Sequence, residues 1–310
     1  MRKTNITLII SCGLVGVLLV YSCKTRYNIA SENYAFLQSP ASVENGKNLV
    51  YSACGGCHYN HKEKKFVGNR LHDLPRALGK LYSANLTNSE MYGVTKRYTN
   101  DQLAYLIKTG IKKDGRFVPY MVRPNMADAD INDIITYLRS DDAAVAAGDM
   151  SVGHTHLNFI GRMAMHTRKP EPYIANITRS SEAVANGRYL VDIMGCYHCH
   201  SKSLESLNYL HPEKSKHYMM GGMKFKMPDG KKIYGSNLTP CKTTGIGYYT
   251  QEDFRKAVKE GVAPGERKLR PPMDKYHELS DKQVDDIFAY LKTLPPAHHL
   301  IKGHTETAAK

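Results

Sequence analysis

Cys54-Gly55-Gly56-Cys57-His58 is repeated as Cys196-Tyr197-His198-Cys199-His200, about half the chain further on. Two thiols one helical turn apart can add to the two vinyl groups of one porphyrin. The adjoining imidazole then swings beneath the ring to reach the iron. Each motif is read as a covalent haem attachment site. Cys54, Cys57, Cys196 and Cys199 are the thioether donors, and His58 and His200 are the proximal iron ligands. A zinc site or a redox disulfide would use only part of this pattern. A zinc ribbon would also set its Cys pairs about 15 to 20 residues apart, whereas far more than that separates Cys57 from Cys196.

The chain has 310 residues, 42% of them hydrophobic, which is enough for two domains of ordinary size. The net charge of +14 falls to about +12 if Arg2 and Lys3 leave with a leader, and to about +8 with four haem propionates. The positive residues are dispersed over both halves, with only a short run at Lys62–Lys65. That distribution points to a solvated basic surface meeting acidic redox partners or anionic lipid rather than nucleic acid. Of the seven cysteines, four go to haem, Cys12 and Cys23 belong to the leader region, and Cys241 is left as a small buried side chain.

Residues 1–23 read as an export leader, with Arg2 and Lys3 ahead of an apolar stretch from Ile6 to Val20. That stretch is short for a bilayer-spanning helix. Val20-Tyr21-Ser22-Cys23 has the form of a lipoprotein box, with Cys23 as the lipidation site and an uncleaved anchor as the alternative. Either places the rest outside the cytoplasm, on the periplasmic side and close to a membrane. Residues 24–40 read as a linker ending in Ser39-Pro40. Residues 41–142 form a first haem domain, 143–180 a connection, 181–300 a second haem domain and 301–310 a frayed tail.

The repeat extends well beyond the haem motifs. Each half opens on Asn-Gly, at Asn45-Gly46 and Asn186-Gly187. Each then carries Tyr-x-x-Asn-Leu-Thr, at Tyr82–Thr87 and Tyr234–Thr239, and a helix capped by Thr99 or Thr250 that stops at Gly110 or Gly261. A final helix follows, from Asp128 or Ser280. Its buried faces are Ile131, Ile134, Ile135, Leu138 and Val284, Ile287, Phe288, Leu291. Tyr137 and Tyr290 are expected beside the crossing with the first helix, where Gly46 and Gly187 permit close approach. No clean period marks 141–180, and His154, His156 and His166 there read as connection polarity. Tyr82 and Tyr234 are candidates to line the haem pocket. Asn85 and Asn237 are candidates to steer the haem edge or its propionates, with ordinary turn chemistry as the alternative.

A six-coordinate iron needs a distal ligand on its second face. Met121 and Met273 are chosen because each follows a Pro-x pair just before the final helix. A thioether there is soft, favours ferrous iron and excludes substrates. Met126 is the competitor for the first iron. In the second half Leu279 takes its place.

These features together resemble the class I cytochrome c family in its tandem two-haem form, over roughly residues 44–140 and 183–295. The chain is similar to membrane-anchored dihaem cytochromes c and to the cytochrome c subunits of periplasmic dehydrogenases. The resemblance implies an all-α fold of two helical domains, each wrapped around one haem c, with proximal His58 and His200 and distal Met121 and Met273. It also implies single-electron transfer between an extracytoplasmic donor, a quinol or a dehydrogenase, and an acceptor, without catalysis by the chain itself. A dihaem peroxidase is the alternative. That class needs an open iron and acid–base groups, and its family resemblance would bring a Trp that this sequence lacks.

Overall fold

Gly46 and Gly187 set the geometry of each half. The structure, a computed structural model, describes residues 26–28, 42–71, 79–166, 168–227 and 230–302. The proposed leader, Cys23, most of the linker and the end of the tail lie outside the described residues. Among the described residues no helix is long and apolar enough to cross a membrane.

In the first half, helix α1 (Val43–Leu49) runs through a π-helical segment, Val50–Cys54, into the short α2 (Gly55–His58). Helix α3 (Asn100–Thr109) and the final helix α4 (Asp128–Leu138) follow. A short helix α5 (Phe159–His166) lies in the connection. The second half repeats the order with α6 (Ala183–Ile193), α7 (Cys196–Cys199), α8 (Gln251–Arg255), prolonged by a π-helical segment to Glu260, and α9 (Asp281–Thr293).

Helix α1 crosses α4 and α6 crosses α9, at the two glycines. A Cβ on Gly46 would run into the carbonyl of Asp133 and come within 2.9 Å of the Tyr137 Cβ; one on Gly187 would run into the carbonyl of Asp286. The preceding asparagines fasten the same crossings: Asn45 Nδ2 donates to Asp133 Oδ2 at 2.7 Å, and Asn186 Nδ2 donates to Asp286 Oδ2 at 2.8 Å. Tyr137 is fully buried at its crossing. Tyr290, one turn beyond Asp286, shares a 3.0 Å hydroxyl hydrogen bond with Tyr218. The capping boxes form at Thr99 with Gln102, at Thr250 with Asp253 and at Ser280 with Gln283. Gly110 and Gly261 end their helices in the left-handed conformation.

The all-α expectation needs correction. The described chain is 37% helix and 9% strand, because the loops between helices close on themselves as short antiparallel pairs. Strands β1 (Arg70–Leu71), β2 (Gly79–Tyr82) and β3 (His156–Leu157) form one sheet. Strands β4 (Lys224–Lys226) and β5 (Lys232–Tyr234) form a second, and β6 (Val262–Ala263) and β7 (Arg267–Lys268) a third. Each strand is too short to show a two-residue period, which is why the helical pattern dominates the sequence.

The connection also has more structure than its lack of period suggests. Its strand β3 joins β2, with His156 paired to Lys80, and its later part is pinned to α4. Asp128 N donates to Ile177 O and Asn176 N donates to Asp128 Oδ2. The fully buried Lys108 pairs with Asp128 beneath Tyr173. The two halves share one apolar core, continuous from Leu49, Ile131 and Ile134 to Leu190, Ile287 and Leu291. Across it Tyr189 Oη donates to Asp130 Oδ2 at 2.5 Å and accepts from Ala127 N.

Candidate haem sites

Both Cys-x-x-Cys-His segments are single helical turns, so each pair of thiols leaves the same side of the backbone with its histidine one residue further on. The four thiols are unbonded to one another. Among the described residues no three His, Cys, Asp or Glu side chains converge as a structural zinc would require. Burial pushes the Cys54 thiol up to about 11 and the Cys196 thiol up to about 12, with the Arg123 charge opposing in both cases.

His58 and His200 are buried, and each is held in the same way. His58 Nδ1 lies 2.8 Å from Ala84 O, and His200 Nδ1 lies 2.8 Å from Ser236 O. A carbonyl can only accept, so Nδ1 carries the proton and Nε2 keeps its lone pair for a metal. Burial lowers both imidazole pKa values, and the carbonyl bond only partly restores them, so both rings are neutral at pH 7. Two thiols on one turn, followed by a neutral imidazole with a free Nε2, fit covalent haem c at either motif.

The residues that supply those carbonyls explain the Tyr-x-x-Asn-Leu-Thr repeat. Ala84 and Ser236 each stand immediately before the asparagine of that repeat. Asn85 Oδ1 accepts from Thr87 N and Oγ1, at 2.8 and 2.7 Å, and its Nδ2 donates to Gly148 O and Met150 O. Asn237 does the same with Thr239, Ala297 O and Thr244 Oγ1. These bonds commit both amides to folding the loop that presents the carbonyl to the histidine. Of the two readings of the asparagines, the geometry of the turn accounts for every polar atom. Ala84 and Ser236 escape sequence reasoning because a backbone acceptor leaves no side-chain signature.

Tyr82 packs its ring against Gly153 of the connection, within 3.4 Å of where a Cβ there would sit, and its backbone bonds Thr155. Tyr234 ends β5 opposite Lys224. Cys241 is buried, as expected. It occupies the position of Ser89, each accepting at its carbonyl from the glycine four residues on, Gly245 or Gly93. Burial opposes ionisation of this thiol, but hydrogen bonds from the Thr243 and Thr244 hydroxyls and N–H groups bring it down to about 6.

Met121 and Met273 sit half-buried in matching turns, each N–H donating at 3.1 Å to the carbonyl three residues back, Val118 or Arg270. Met126 is 2% exposed inside the apolar core and Leu279 is 1% exposed in the same core. Each donates its N–H to the carbonyl three residues earlier, Arg123 or Tyr276. Met126 and Leu279 are thus one structural position. The extra residue of the second half falls between Met273 and Tyr276, because Arg123 N and Tyr276 N bond the equivalent carbonyls of Ile107 and Val258.

Residues 43–141 match the Cytochrome c family, and a cytochrome c domain, whose family carries covalently bound haem c, is therefore present in the first half. The chain is also similar to curated proteins. It is 34% identical over 125 residues to the fructose dehydrogenase cytochrome subunit of Gluconobacter japonicus, covering 40% of this chain and 23% of that protein. It is 35% identical over 119 residues to the gluconate 2-dehydrogenase cytochrome c subunit of Pantoea cypripedii, covering 38% and 24%. A longer alignment, 268 residues at 27% identity, relates 83% of this chain to 22% of a nicotinate dehydrogenase subunit from Pseudomonas putida. The chain thus spans about a quarter of the length of the curated relatives it matches.

One titratable group beside the second site has a measurable consequence. Asp192, near the end of α6, accepts from Asn125 Nδ2 at 2.7 Å across the junction of the halves. It lines a cleft of about 270 Å³ with Arg188, Tyr189 and Tyr218. Burial raises its carboxyl to about 6, against the Asn125 bond and the Arg123 and Arg188 charges. A carboxyl raised in the folded state stabilises below its unfolded pKa, near 4, and loses that contribution as pH rises to about 6. Asp192→Asn is therefore expected to be near neutral at pH 4. By pH 7 it should be more stable than the parent by about 2 kcal/mol, read as a difference in Tm across that range. A pH-independent difference would remove Asp192 from the account.

Proposed function

We propose that this chain is a two-haem electron carrier serving as the cytochrome subunit of an extracytoplasmic oxidoreductase, held at the membrane through a lipid on Cys23. The observation that carries the two-haem reading is the repetition, at both Cys-x-x-Cys-His turns, of one arrangement: a buried neutral histidine with Nδ1 fixed by a backbone carbonyl at 2.8 Å. A haem bound there supplies a one-electron couple. The chain's own residues hold the ring through Cys54 and Cys57, or Cys196 and Cys199, and orient the proximal imidazole. Met121 and Met273, on matching Pro-bearing turns, close the far faces to water and substrates. The burial of Met126 in the core supports Met121 as the thioether for the first iron.

The likeness to cytochrome subunits of sugar and sugar-acid dehydrogenases, and to a subunit of a nicotinate dehydrogenase, supports a dehydrogenase or a quinol as the redox partner. The basic surface suits an acidic partner face or anionic lipid. The test is a haem-to-protein ratio on the full chain. Two haems are expected, falling to one in the Cys196→Ala, Cys199→Ala double variant. A ratio of one in the parent chain would overturn the two-haem reading, and steady turnover of peroxide would overturn the carrier reading.

A further inference from the structure

The loop that follows Met121 does not stay in its own half. Arg123 Nε donates to Ile193 O at 2.8 Å, in the last turn of α6, while its Nη1 donates to Val122 O at 2.8 Å. Its Nη2 lies 3.2 Å from where a Cβ on Gly195 would sit, and Gly195 (φ 71°) is the residue that turns the chain into Cys196. Two residues on, Asn125 bonds Asp192 and the carbonyl of Leu210, both in the second half. The converse contact also exists: the carboxylate of Asp274, next to Met273, lies against Gly56 between Cys54 and Cys57. Each distal-loop segment therefore touches the attachment turn of the other half.

We propose that Arg123 is a positioning residue shared by both haem sites. It clasps the Met121 loop to the turn that carries Cys196, and its charge stabilises the ferrous state at both irons. This rests on the two-haem reading above. The electrostatic part rests on position: the guanidinium stands two residues after Met121 and against Ile193 and Gly195, at the turn that leads into Cys196. A fixed cation shared by two buried sites favours the reduced, less positive iron at each, and low local polarity lengthens its reach. On α6 the carboxylate of Asp192 stands next to Ile193, whose carbonyl Arg123 holds. Asp192 partly offsets the cation.

The experiment is a spectroelectrochemical titration of the full chain beside a haem count. Arg123→Met, of similar length and no charge, is expected to lower the midpoint potentials of both haems. Arg123→Lys, which keeps the charge, should hold both near the parent values. Arg123→Gln retains an N–H for Ile193 O without charge, so it covers the case in which the Met variant does not fold, and it should also lower both. Potentials that stay put, or a change at one haem alone with both haems present, would overturn the shared role. A single haem in the parent chain would show instead that the two-haem reading had failed.

Discussion

Replacing Gly187 with alanine is expected to destabilise the protein by about 3 kcal/mol or more, at the upper end of what an overpacked core costs. The methyl would enter the space of the Asp286 carbonyl. That neighbour is helix backbone and cannot rotate aside as a side chain could. The α6–α9 crossing would have to open, lengthening the Asn186–Asp286 bond and loosening the apolar face of Val284, Ile287 and Leu291. For a folded unit of this size the fall in Tm is roughly 6–12 °C. Gly46→Ala should behave alike against Asp133. Gly55→Ala is the control: its backbone is already helical (φ −57°), and an added methyl meets only Val50 O, at 3.9 Å. Thermal melts in which Gly187→Ala and Gly55→Ala were indistinguishable would refute the close crossing.

Met273→His is expected to lower the potential of the second haem by on the order of a tenth of a volt or more, since axial ligand identity is among the largest levers on haem potential. A thioether is a soft ligand that favours ferrous iron, whereas a second imidazole is a better donor to ferric iron. Met273 stands on the turn formed by Pro271 and Pro272, half-buried, so a side chain there is presented by a stiff segment. The variant should also lose about half of the weak far-red sulfur-to-iron band of the oxidised form, the rest being due to Met121 at the first iron. Met126→Leu is the comparison, because Leu279 already fills that position in the second half. It should leave both potentials unchanged and cost less than about 1.5 kcal/mol. An unmoved potential in Met273→His would return Met273 to a packing role.

Much of this arrangement is legible in the residues alone. The attachment turns and the final helices follow from side-chain type and spacing. So do the Thr-capped helices with their terminal glycines, because these are local devices whose chemistry is complete within a few residues. The pairing of Gly46 and Gly187 with the final helices is also readable, since the same spacing recurs in both halves. The short hairpins are not, because strands of two to four residues are too short to carry a period. Nor is the order within 141–180, which depends on bonds to distant elements such as Lys108 and Asp128. The asparagines of the repeat point to the right loops. Their task, folding that loop so that Ala84 and Ser236 face the histidines, emerges only from the hydrogen bonds.

By itself the sequence determined where the two Cys-x-x-Cys-His turns fall and which helices must bury a face, since both depend on residue type at fixed local spacing. Tertiary structure alone decided which nitrogen of each histidine is left free, that Met126 belongs to the core, and that Arg123 and Asp274 reach across to the opposite attachment turn. Those outcomes depend on which backbone carbonyls and charges meet after distant segments pack, and no local pattern encodes that meeting.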